Sequence, residues 1–423
     1  STGFEVAESR TTTLQAPSTQ QELRVKRIVI SPQRRLFVQG LAGAFVLPGC
    51  GGSDPRPKPA PPVADPVGAL KTEQLKTILA KARGTAPGLA GAVISDANIV
   101  LAADGKLSSN GDAALRSDNW LHLGSNSKSM TAMAVAVLVE QGRLRWTDTP
   151  AQLFPEWASN MQMAYRDISL LDVLSFRAGF APMLQWAEFE AVPITTSTLT
   201  EQRLQYAKWL LEQTPVNTPG TQTEYSNASY VLAGAIVERA SGLAFEPSIQ
   251  NLVLKPLGLQ GFYGLPQELG TDQPAAHAQP SPGAYVPVAP DDPTVQAVPK
   301  YVNPAGLLAM PVPDYARYAQ IQLQALRGRP RLLSAQTYKV LHTAQGQIAG
   351  SSFGLALGWG VLTQGGKTTY EFSGSIDLMS AYIKISPTDN RAVIVLNNYD
   401  AADPSDAVLT DTANQLMALK PLS

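Results

Sequence analysis

Apolar residues are grouped into separate stretches of the chain that differ in spacing and length. From Thr72 to Arg83 they recur at helical spacing, as at Leu75 and Leu79, which predicts an amphipathic helix. The stretch from Ala90 to Ala103 is apolar and β-favouring, so it predicts the strands of a hairpin. Ser127 to Gly142 is small or apolar nearly all round and ends in glycine, which predicts a buried helix.

The same reasoning places further elements along the rest of the chain. Helices are predicted at Glu201–Gln213, Tyr230–Ser241, Asp314–Ala325 and Ala407–Leu419, and strands at Leu355–Leu362, Ala381–Ser386 and Ala392–Asn397. Proline-rich loops are predicted around Pro280 to Pro293. Because strands at both ends flank a helical middle, we expect an α/β domain built from residues 67–145 and 300–423. A helical domain, residues 146–299, would be inserted in it.

Composition limits the classes of partner and cofactor. The chain has 423 residues, of which 44% are hydrophobic and 16% are charged, as is usual for a globular protein. Its 33 basic and 34 acidic residues nearly cancel, which argues against a nucleic-acid partner. Three histidines and one cysteine show no metal-ligand spacing, so we expect no metal ion, no disulfide and no other cofactor.

The segment from Ser31 to Cys50, SPQRRLFVQGLAGAFVLPGC, looks like an export signal of the twin-arginine type. Its apolar stretch is too short to span a membrane, and LPGC resembles a bacterial lipoprotein box in which Cys50 is lipidated. A Gly- and Pro-rich tether follows, so residues 1–66 are interpreted as signal and tether of a protein exported to the periplasm, with Cys50 as a lipid anchor. The alternative is a buried apolar helix with an incidental thiol.

Ser125-Asn126-Ser127-Lys128 is a Ser-x-x-Lys motif at the start of the predicted buried helix. Residues three apart share a helix face, so Lys128 would project beside Ser125. Burial lowers the pKa of a lysine, and a neutral amine is able to take the proton of a serine nucleophile. The motif alone is weak, because it also arises by chance at solvated helix starts.

Tyr225-Ser226-Asn227 follows about a hundred residues later, just before the helix predicted at Tyr230–Ser241. A tyrosine at this point would be able to share a proton with Lys128 and Ser125. Taken by itself, a core tyrosine ahead of a helix cap is the alternative explanation.

Together and in this order, the two motifs resemble those of class C β-lactamases, D-Ala-D-Ala carboxypeptidases and the β-lactamase-like family VIII carboxylesterases. The resemblance covers most of the chain after the tether. It rests on HLGSNSKSMTAMAVAVLVEQGRLRWTDTPAQLFPEW, ISLLDVLSFRAGF, TPGTQTEYSNASYVLAGAIVERASG, KPLGL, NPAGLLAMPVPDYARYAQ, FGLALGWGV and FSGSIDLMSAYIKISPTDNRAVIVLNN, in the family's order. The chain is identified as a member of this serine β-lactamase-like, penicillin-binding-protein-like family.

The resemblance implies a β-lactamase/transpeptidase-like α/β (α+β) fold, an antiparallel sheet flanked by helices with an inserted helical domain. It also implies an acyl-enzyme mechanism. Ser125 would attack a carbonyl carbon, and Tyr225 with Lys128 would act as general base and then as general acid. The expected partner is a small-molecule ester or peptide substrate, and the oligomeric state stays open.

Further roles come from the same resemblance. The strand beginning FSGSIDLMSAYI aligns with the family's Lys-Thr-Gly or His-x-Gly strand. The backbone N–H of Ser375 would therefore join that of Ser125 in an oxyanion hole, and Gly374 would let the backbone come close. Asn227 would hydrogen-bond the acyl side of the substrate.

Phe372 breaks the family pattern, because relatives carry Lys or His there to bind a substrate carboxylate. Phe176 stands where relatives usually carry His, and Lys367, five residues before Phe372, is expected in a hairpin turn. We therefore expect a pocket for neutral groups and a carboxylic-ester hydrolase. The alternatives are a peptidase or amidase, including D-amino-acid or linear peptide hydrolases, β-lactamases and carboxypeptidases, and a penicillin-reactive binding protein without turnover.

Other candidate residues are explained better by structural roles. Ser352 lies in Gly-x-Ser-x-Gly, but an α/β-hydrolase needs a later histidine and none follows His342. His122 precedes Ser125 by three residues and is expected to point elsewhere. Three aromatic residues could line the pocket, although isolated aromatics are more often core: Trp186, Trp359 and Tyr301.

Overall fold

The computed structural model describes residue 65 and residues 67–399 and 407–421. Cys50, the predicted export signal and almost all of the predicted tether lie outside the described residues. None of the helices in the described part is long and apolar enough to cross a membrane.

An eight-stranded sheet, antiparallel between every pair of neighbours, forms the centre of the described structure, in the order β2-β1-β13-β12-β11-β10-β9-β8. Smaller sheets have the orders β3-β7-β4 and β5-β6. The strands are β1 Gly88–Ile94, β2 Ile99–Gly105, β3 Trp120–His122, β4 Phe262–Tyr263, β5 Ala276–Ser281, β6 Ala284–Val288, β7 Leu308–Pro311, β8 Gly346–Gln347, β9 Phe353–Leu355, β10 Gly360–Gln364, β11 Lys367–Ser375, β12 Ser380–Ser386 and β13 Arg391–Asn397. Because β1 pairs with β13, strands from the two ends of the described chain form one sheet.

Helices cover the sheet and fill the middle of the sequence. They are α1 Thr72–Arg83, α2 Lys128–Glu140, α3 Pro150–Leu153, α4 Met163–Arg166, α5 Leu170–Leu174, α6 Trp186–Glu190, α7 Leu199–Glu212, α8 Asn227–Ser241, α9 Phe245–Ile249, α10 Lys255–Leu257, α11 Pro293–Gln296, α12 Asn303–Gly306, α13 Val312–Leu326, α14 Ala335–His342 and α15 Ala407–Ala418. The prediction of an antiparallel sheet with flanking helices is confirmed, whereas the division into domains at 145/146 and 299/300 stays a prediction.

The central sheet is buried on both faces. Side chains of a strand point alternately to its two faces. In β1, Leu89 and Val93 join the apolar cluster formed with α1 and α15. Ala90, Ala92 and Ile94 join the larger cluster that contains residues of α2 and α13. The sheet is therefore sandwiched between the terminal helices and the helices that carry the candidate site.

Most of the predicted elements are confirmed. Helix α1 has the bounds that the pattern predicted, and α7, α8, α13 and α15 lie within a few residues of theirs. The hairpin predicted in Ala90–Ala103 is β1 and β2. The buried helix is α2, preceded by a 3-10 turn, Gly124–Ser127.

The single strand predicted at Leu355–Leu362 is wrong. Strand β9 ends at Leu355, a tight turn follows, and β10 begins at Gly360. The two strands pair antiparallel. Gly358 has a φ of 76°, and a Cβ on it would lie 2.6 Å from the backbone N of Ser129. A continuous apolar run does not distinguish one strand from two strands joined by a tight turn.

The loop predicted around Pro280 to Pro293 is wrong in its first half. Residues 276–288 form the hairpin of β5 and β6, which contains Pro280 and Pro287. A two-stranded sheet leaves one edge of each strand unpaired, so a proline without a backbone N–H is tolerated there.

Candidate active site

The predicted nucleophile lies in the 3-10 turn Gly124–Ser127 that leads into α2. Gly124 has a φ of 52°, and its N–H donates to Nδ1 of His122 at 3.0 Å. The Ser127 hydroxyl donates to the Gly124 carbonyl at 2.5 Å. Burial lowers the pKa of His122 to about 3, so this histidine is neutral and holds the turn that presents Ser125.

Lys128 is fully buried beside Ser125. Its Nζ donates to Ser125 Oγ at 3.0 Å, to Asn227 Oδ1 at 2.7 Å and to the carbonyl of Ala305. Because burial disfavours the charged amine, the pKa of Lys128 lies well below its ordinary value of 10.5. The amine is therefore close to the serine hydroxyl and more easily deprotonated than an exposed lysine.

Tyr225 approaches Ser125 from the other side. Its Oη lies 2.7 Å from Ser125 Oγ and donates to Asn227 Oδ1 at 3.2 Å. Burial raises the pKa of Tyr225, and the hydrogen bond with Ser125 opposes this shift in part. The phenol therefore keeps its proton at neutral pH. The ring also lies under Lys128 Nζ, at 4.9 Å from the centroid.

The two departures from the family pattern contact the same ring. Phe372 and Phe176 lie with their ring centroids 6.2 and 5.0 Å from that of Tyr225. Lys367 is the first residue of β11, directly after the Gly-Gly turn, and pairs at 2.6 Å with Asp389. The cation nearest in sequence to Phe372 thus forms an ion pair on the surface.

The start of α2 and the end of β11 touch through two glycines. A Cβ on Gly374 would lie 2.5 Å from the N of Ser125, and one on Gly124 would collide with the N of Ser375. Strand β10 pairs with β11 as far as Glu371, so beyond that point β11 packs against the nucleophile turn instead. This approach brings the two backbone N–H groups expected to form the oxyanion hole to one place.

Asn227 has contacts that its predicted role did not include. Its Oδ1 accepts from Lys128 and Tyr225, and its Nδ2 donates to the carbonyl of Met183 at 2.9 Å. The amide thus orients the two groups that flank the nucleophile. Asn227 also lines the pocket, so it lies where a substrate would bind. Its predicted contact with the substrate stays a prediction.

A pocket opens directly beside Ser125 and Ser375. Its other wall residues include three apolar and three polar side chains: Leu184, Trp186 and Val302, and Gln185, Asn227 and Asp377. Trp186 therefore lines the pocket. Within residues 65, 67–399 and 407–421, no group of three or more His, Cys, Asp or Glu is arranged to hold a metal ion.

The remaining candidates lie elsewhere. Trp359 and Tyr301 are buried core residues, and the Tyr301 hydroxyl donates to the carbonyl of Phe189 at 2.9 Å. Ser352 is exposed in a bend immediately before β9. Its location agrees with the interpretation as a loop serine.

Sequence reasoning did not identify three residues of the site. Ala305 and Met183 contribute backbone carbonyls, which leave no residue-type signal in a sequence. Asp377 lies two residues after Ser375 in FSGSIDLM, and this short spacing is the sequence signal that could have placed its carboxylate in the pocket.

The family profile described as Beta-lactamase matches residues 75–417. The chain belongs to the beta-lactamase family. Its fold is the β-lactamase/transpeptidase-like fold, and the family is one of serine hydrolases, so membership and fold are both as the resemblance implied.

Two named relatives are distant in sequence from this chain. Penicillin-binding protein 4 of Amycolatopsis lactamdurans is 24% identical over 353 residues, which cover 78% of this chain and 85% of that protein. A beta-lactamase of Escherichia coli (strain K12) is 30% identical over 137 residues, 32% of this chain and 33% of that protein.

Two solved structures share the fold. The octameric penicillin-binding protein homologue from Pyrococcus abyssi aligns with a TM-score of 0.68 at 21% identity, covering 83% of this chain and 78% of that one. The class C beta lactamase from Rhodobacter sphaeroides aligns with a TM-score of 0.65 at 17% identity, covering 81% of this chain and 100% of that one.

Proposed function

We propose that this member of the beta-lactamase family hydrolyses carboxylic esters through an acyl-enzyme on Ser125. The observation that carries the proposal is the position of Ser125 Oγ, 3.0 Å from Lys128 Nζ and 2.7 Å from Tyr225 Oη. The neutral form of Lys128 takes the hydroxyl proton while Oγ bonds to the ester carbonyl carbon. The Lys128–Tyr225 pair then returns a proton to the departing alcohol oxygen, and water releases the acyl group by the reverse steps.

The developing negative charge needs donors at the carbonyl oxygen. The backbone N–H groups of Ser125 and Ser375 are proposed for this role, since Gly124 and Gly374 let the two segments meet. Donors fixed by the backbone need no rearrangement during the reaction.

Phe372 supports an ester over a β-lactam or a peptide C-terminus. Its ring packs on Tyr225 at the position where relatives carry a cation, so it offers no charge to a substrate carboxylate. A neutral acyl or alcohol group is compatible with the apolar wall formed by Leu184, Trp186 and Val302.

We also propose that the protein is exported to the periplasm and anchored through lipid on Cys50, on the basis of the paired arginines and the LPGC box. Metabolic labelling with a radioactive fatty acid, compared between wild type and Cys50→Ser, tests the anchor. Equal labelling of the two proteins would exclude Cys50 as the lipidated residue.

The test of the function is turnover on a panel of p-nitrophenyl esters, a chromogenic cephalosporin and small peptide amides. Preferential ester cleavage, lost in Ser125→Ala together with fluorophosphonate labelling, is the expected result. Preference for an amide would keep Ser125 but assign a peptidase or amidase, and stoichiometric acylation by penicillin without turnover would assign a binding protein. Labelling that persists in Ser125→Ala would refute the nucleophile.

A further inference from the structure

The turn between β11 and β12 carries a carboxylate in an unusual backbone conformation. Ile376 N–H donates to the Met379 carbonyl at 3.1 Å, and Asp377 N–H donates to Ser375 Oγ at 3.0 Å. Asp377 has a φ of 63°, in the left-handed region where glycine is least strained and Asp and Asn are tolerated better than most residues. The turn therefore holds a charged side chain at a position where glycine would have less backbone strain.

Asp377 belongs to the wall of the pocket that contains Ser125 and Ser375. Its carboxylate is within hydrogen-bond reach of the Trp186 side chain, on another wall of the pocket. Solvent reaches the residue, yet the surrounding protein raises the pKa of its carboxyl group, and the hydrogen bond from Trp186 opposes that shift. The indole N–H is a neutral donor, so it leaves the negative charge uncompensated.

Among the described residues that line this pocket, Asp377 is the one with a charged side chain. Glu188, two residues after Trp186, is also acidic, and its carboxylate accepts from the N–H of the pocket residue Gln185 at 2.7 Å. Phe372 supplies no cation from β11. The charge that this pocket offers to a ligand is thus negative.

We infer that Asp377 binds a positively charged group, an alkylammonium or a guanidinium, on the ester that Ser125 attacks. The inference rests on the proposed function and specifies its substrate class. A cation in this pocket would gain an ion pair with a partly desolvated carboxylate, whereas a substrate carboxylate would be repelled. Strain retained at a turn beside the reacting atoms agrees with a role in recognition.

Matched esters separate charge from size. We would compare p-nitrophenyl 3-aminopropanoate with the butanoate, and p-nitrophenyl 6-aminohexanoate with the heptanoate, because each pair exchanges a terminal ammonium for a methyl group. The charge ratio is kcat/KM for the ammonium ester divided by kcat/KM for its methyl partner. The two chain lengths allow for different distances between the scissile bond and the carboxylate.

The variants are Asp377→Asn and the control Asp112→Asn. Asparagine tolerates the left-handed conformation and can still accept from Trp186, so the turn and the pocket wall keep their shape. Asp112 is exposed, pairs with Lys106 and lies outside the pocket, and its change alters the net charge by the same amount.

We expect a wild-type charge ratio of about two- to fivefold in at least one pair, the scale of one charge pair near solvent. The ratio falls to about one in Asp377→Asn and stays at the wild-type value in Asp112→Asn. A wild-type ratio of one or less in both pairs, or an unchanged ratio in Asp377→Asn, overturns the inference.

Turnover of the methyl-terminated esters, and its loss in Ser125→Ala, reports separately on the proposed function. If acylation is too slow for turnover, protection of Ser125 from fluorophosphonate labelling by the same pairs gives the charge ratio. Absence of turnover and of labelling refutes the proposed function and this inference together.

Discussion

The buried amine of Lys128 is costly to the folded state and useful to the site. Burial depresses its pKa in the fold, so between the folded and the ordinary value the unfolded chain binds more protons than the native one. The native state is therefore penalised at pH values below the ordinary 10.5, and this penalty diminishes as the pH rises. The same depression makes a neutral base available next to Ser125.

Lys128→Met tests both consequences. We expect kcat to fall by about two orders of magnitude or more, the scale of a lost general base. We also expect stability to urea at neutral pH to be equal to or above wild type, because the methionine fills the space without a buried amine. Lys81→Met, on the exposed face of α1, is the control and should change neither quantity. A kcat near the wild-type value would show that another group is the base.

Phe372→His places the family's cation beside Tyr225. We expect kcat/KM for a chromogenic cephalosporin to rise by about tenfold, the scale of one hydrogen bond to a charged group. Phe176→His is the control, since Phe176 packs on the same ring and also restores a family residue. Efficient cephalosporin turnover by wild type would contradict the role given to Phe372.

The sequence reveals those site residues that lie close together along the chain. Ser125 and Lys128 lie three apart, so helix geometry alone placed them together. Tyr225 is a hundred residues away and needed the family resemblance. Ala305 and Met183 act through carbonyl oxygens that every residue has, and their positions depend on how distant loops pack.

At the scale of elements, the site depends on how closely α2 and β11 approach. Gly374→Ala would place a Cβ 2.5 Å from the N of Ser125, which forces the two segments apart. We expect kcat to fall about a hundred- to a thousandfold, as when one oxyanion donor is lost. Gly111→Ala, at a glycine with no atom within 4 Å of the added Cβ, should retain activity. Unchanged kcat in Gly374→Ala would show that this approach is not required.

Helices were predictable where a periodic apolar face was sufficient, as in α1. The hairpin of β5 and β6 is not predictable from its prolines, which argue against strands in general but are tolerated here because both strands have unpaired edges. The break between β9 and β10 was missed because it depends on Gly358 packing against the start of α2. Such a contact joins residues far apart in the sequence.

At the scale of the whole molecule, a buried ion network joins the helical middle to the site. Arg203 is fully buried on α7 and donates to Glu238, to Glu246 and, at 3.2 Å, to the carbonyl of Tyr301. Glu246 also accepts from Asn303 at 2.7 Å. The segment held in this way continues into α12, where the carbonyl of Ala305 accepts from Lys128.

Arg203→Met should destabilise the protein by about 3–5 kcal/mol, because it leaves Glu238 buried without its cation. Urea unfolding measures the change, and Arg203→Met/Glu238→Gln should recover part of it. Lys106→Met removes an exposed ion pair and should unfold near the wild-type midpoint. Equal midpoints for all these proteins would show that the network contributes nothing to stability.

The pairing of β1 with β13 also determines when the molecule can become complete during synthesis. Leu89 lies opposite Asn397, roughly 300 residues later, so one edge of the first hairpin stays open until β13 has left the ribosome. Such an edge pairs readily with other chains. Folding is therefore expected to be slow and sensitive to chaperones, and a nascent chain that stops before β13 should aggregate.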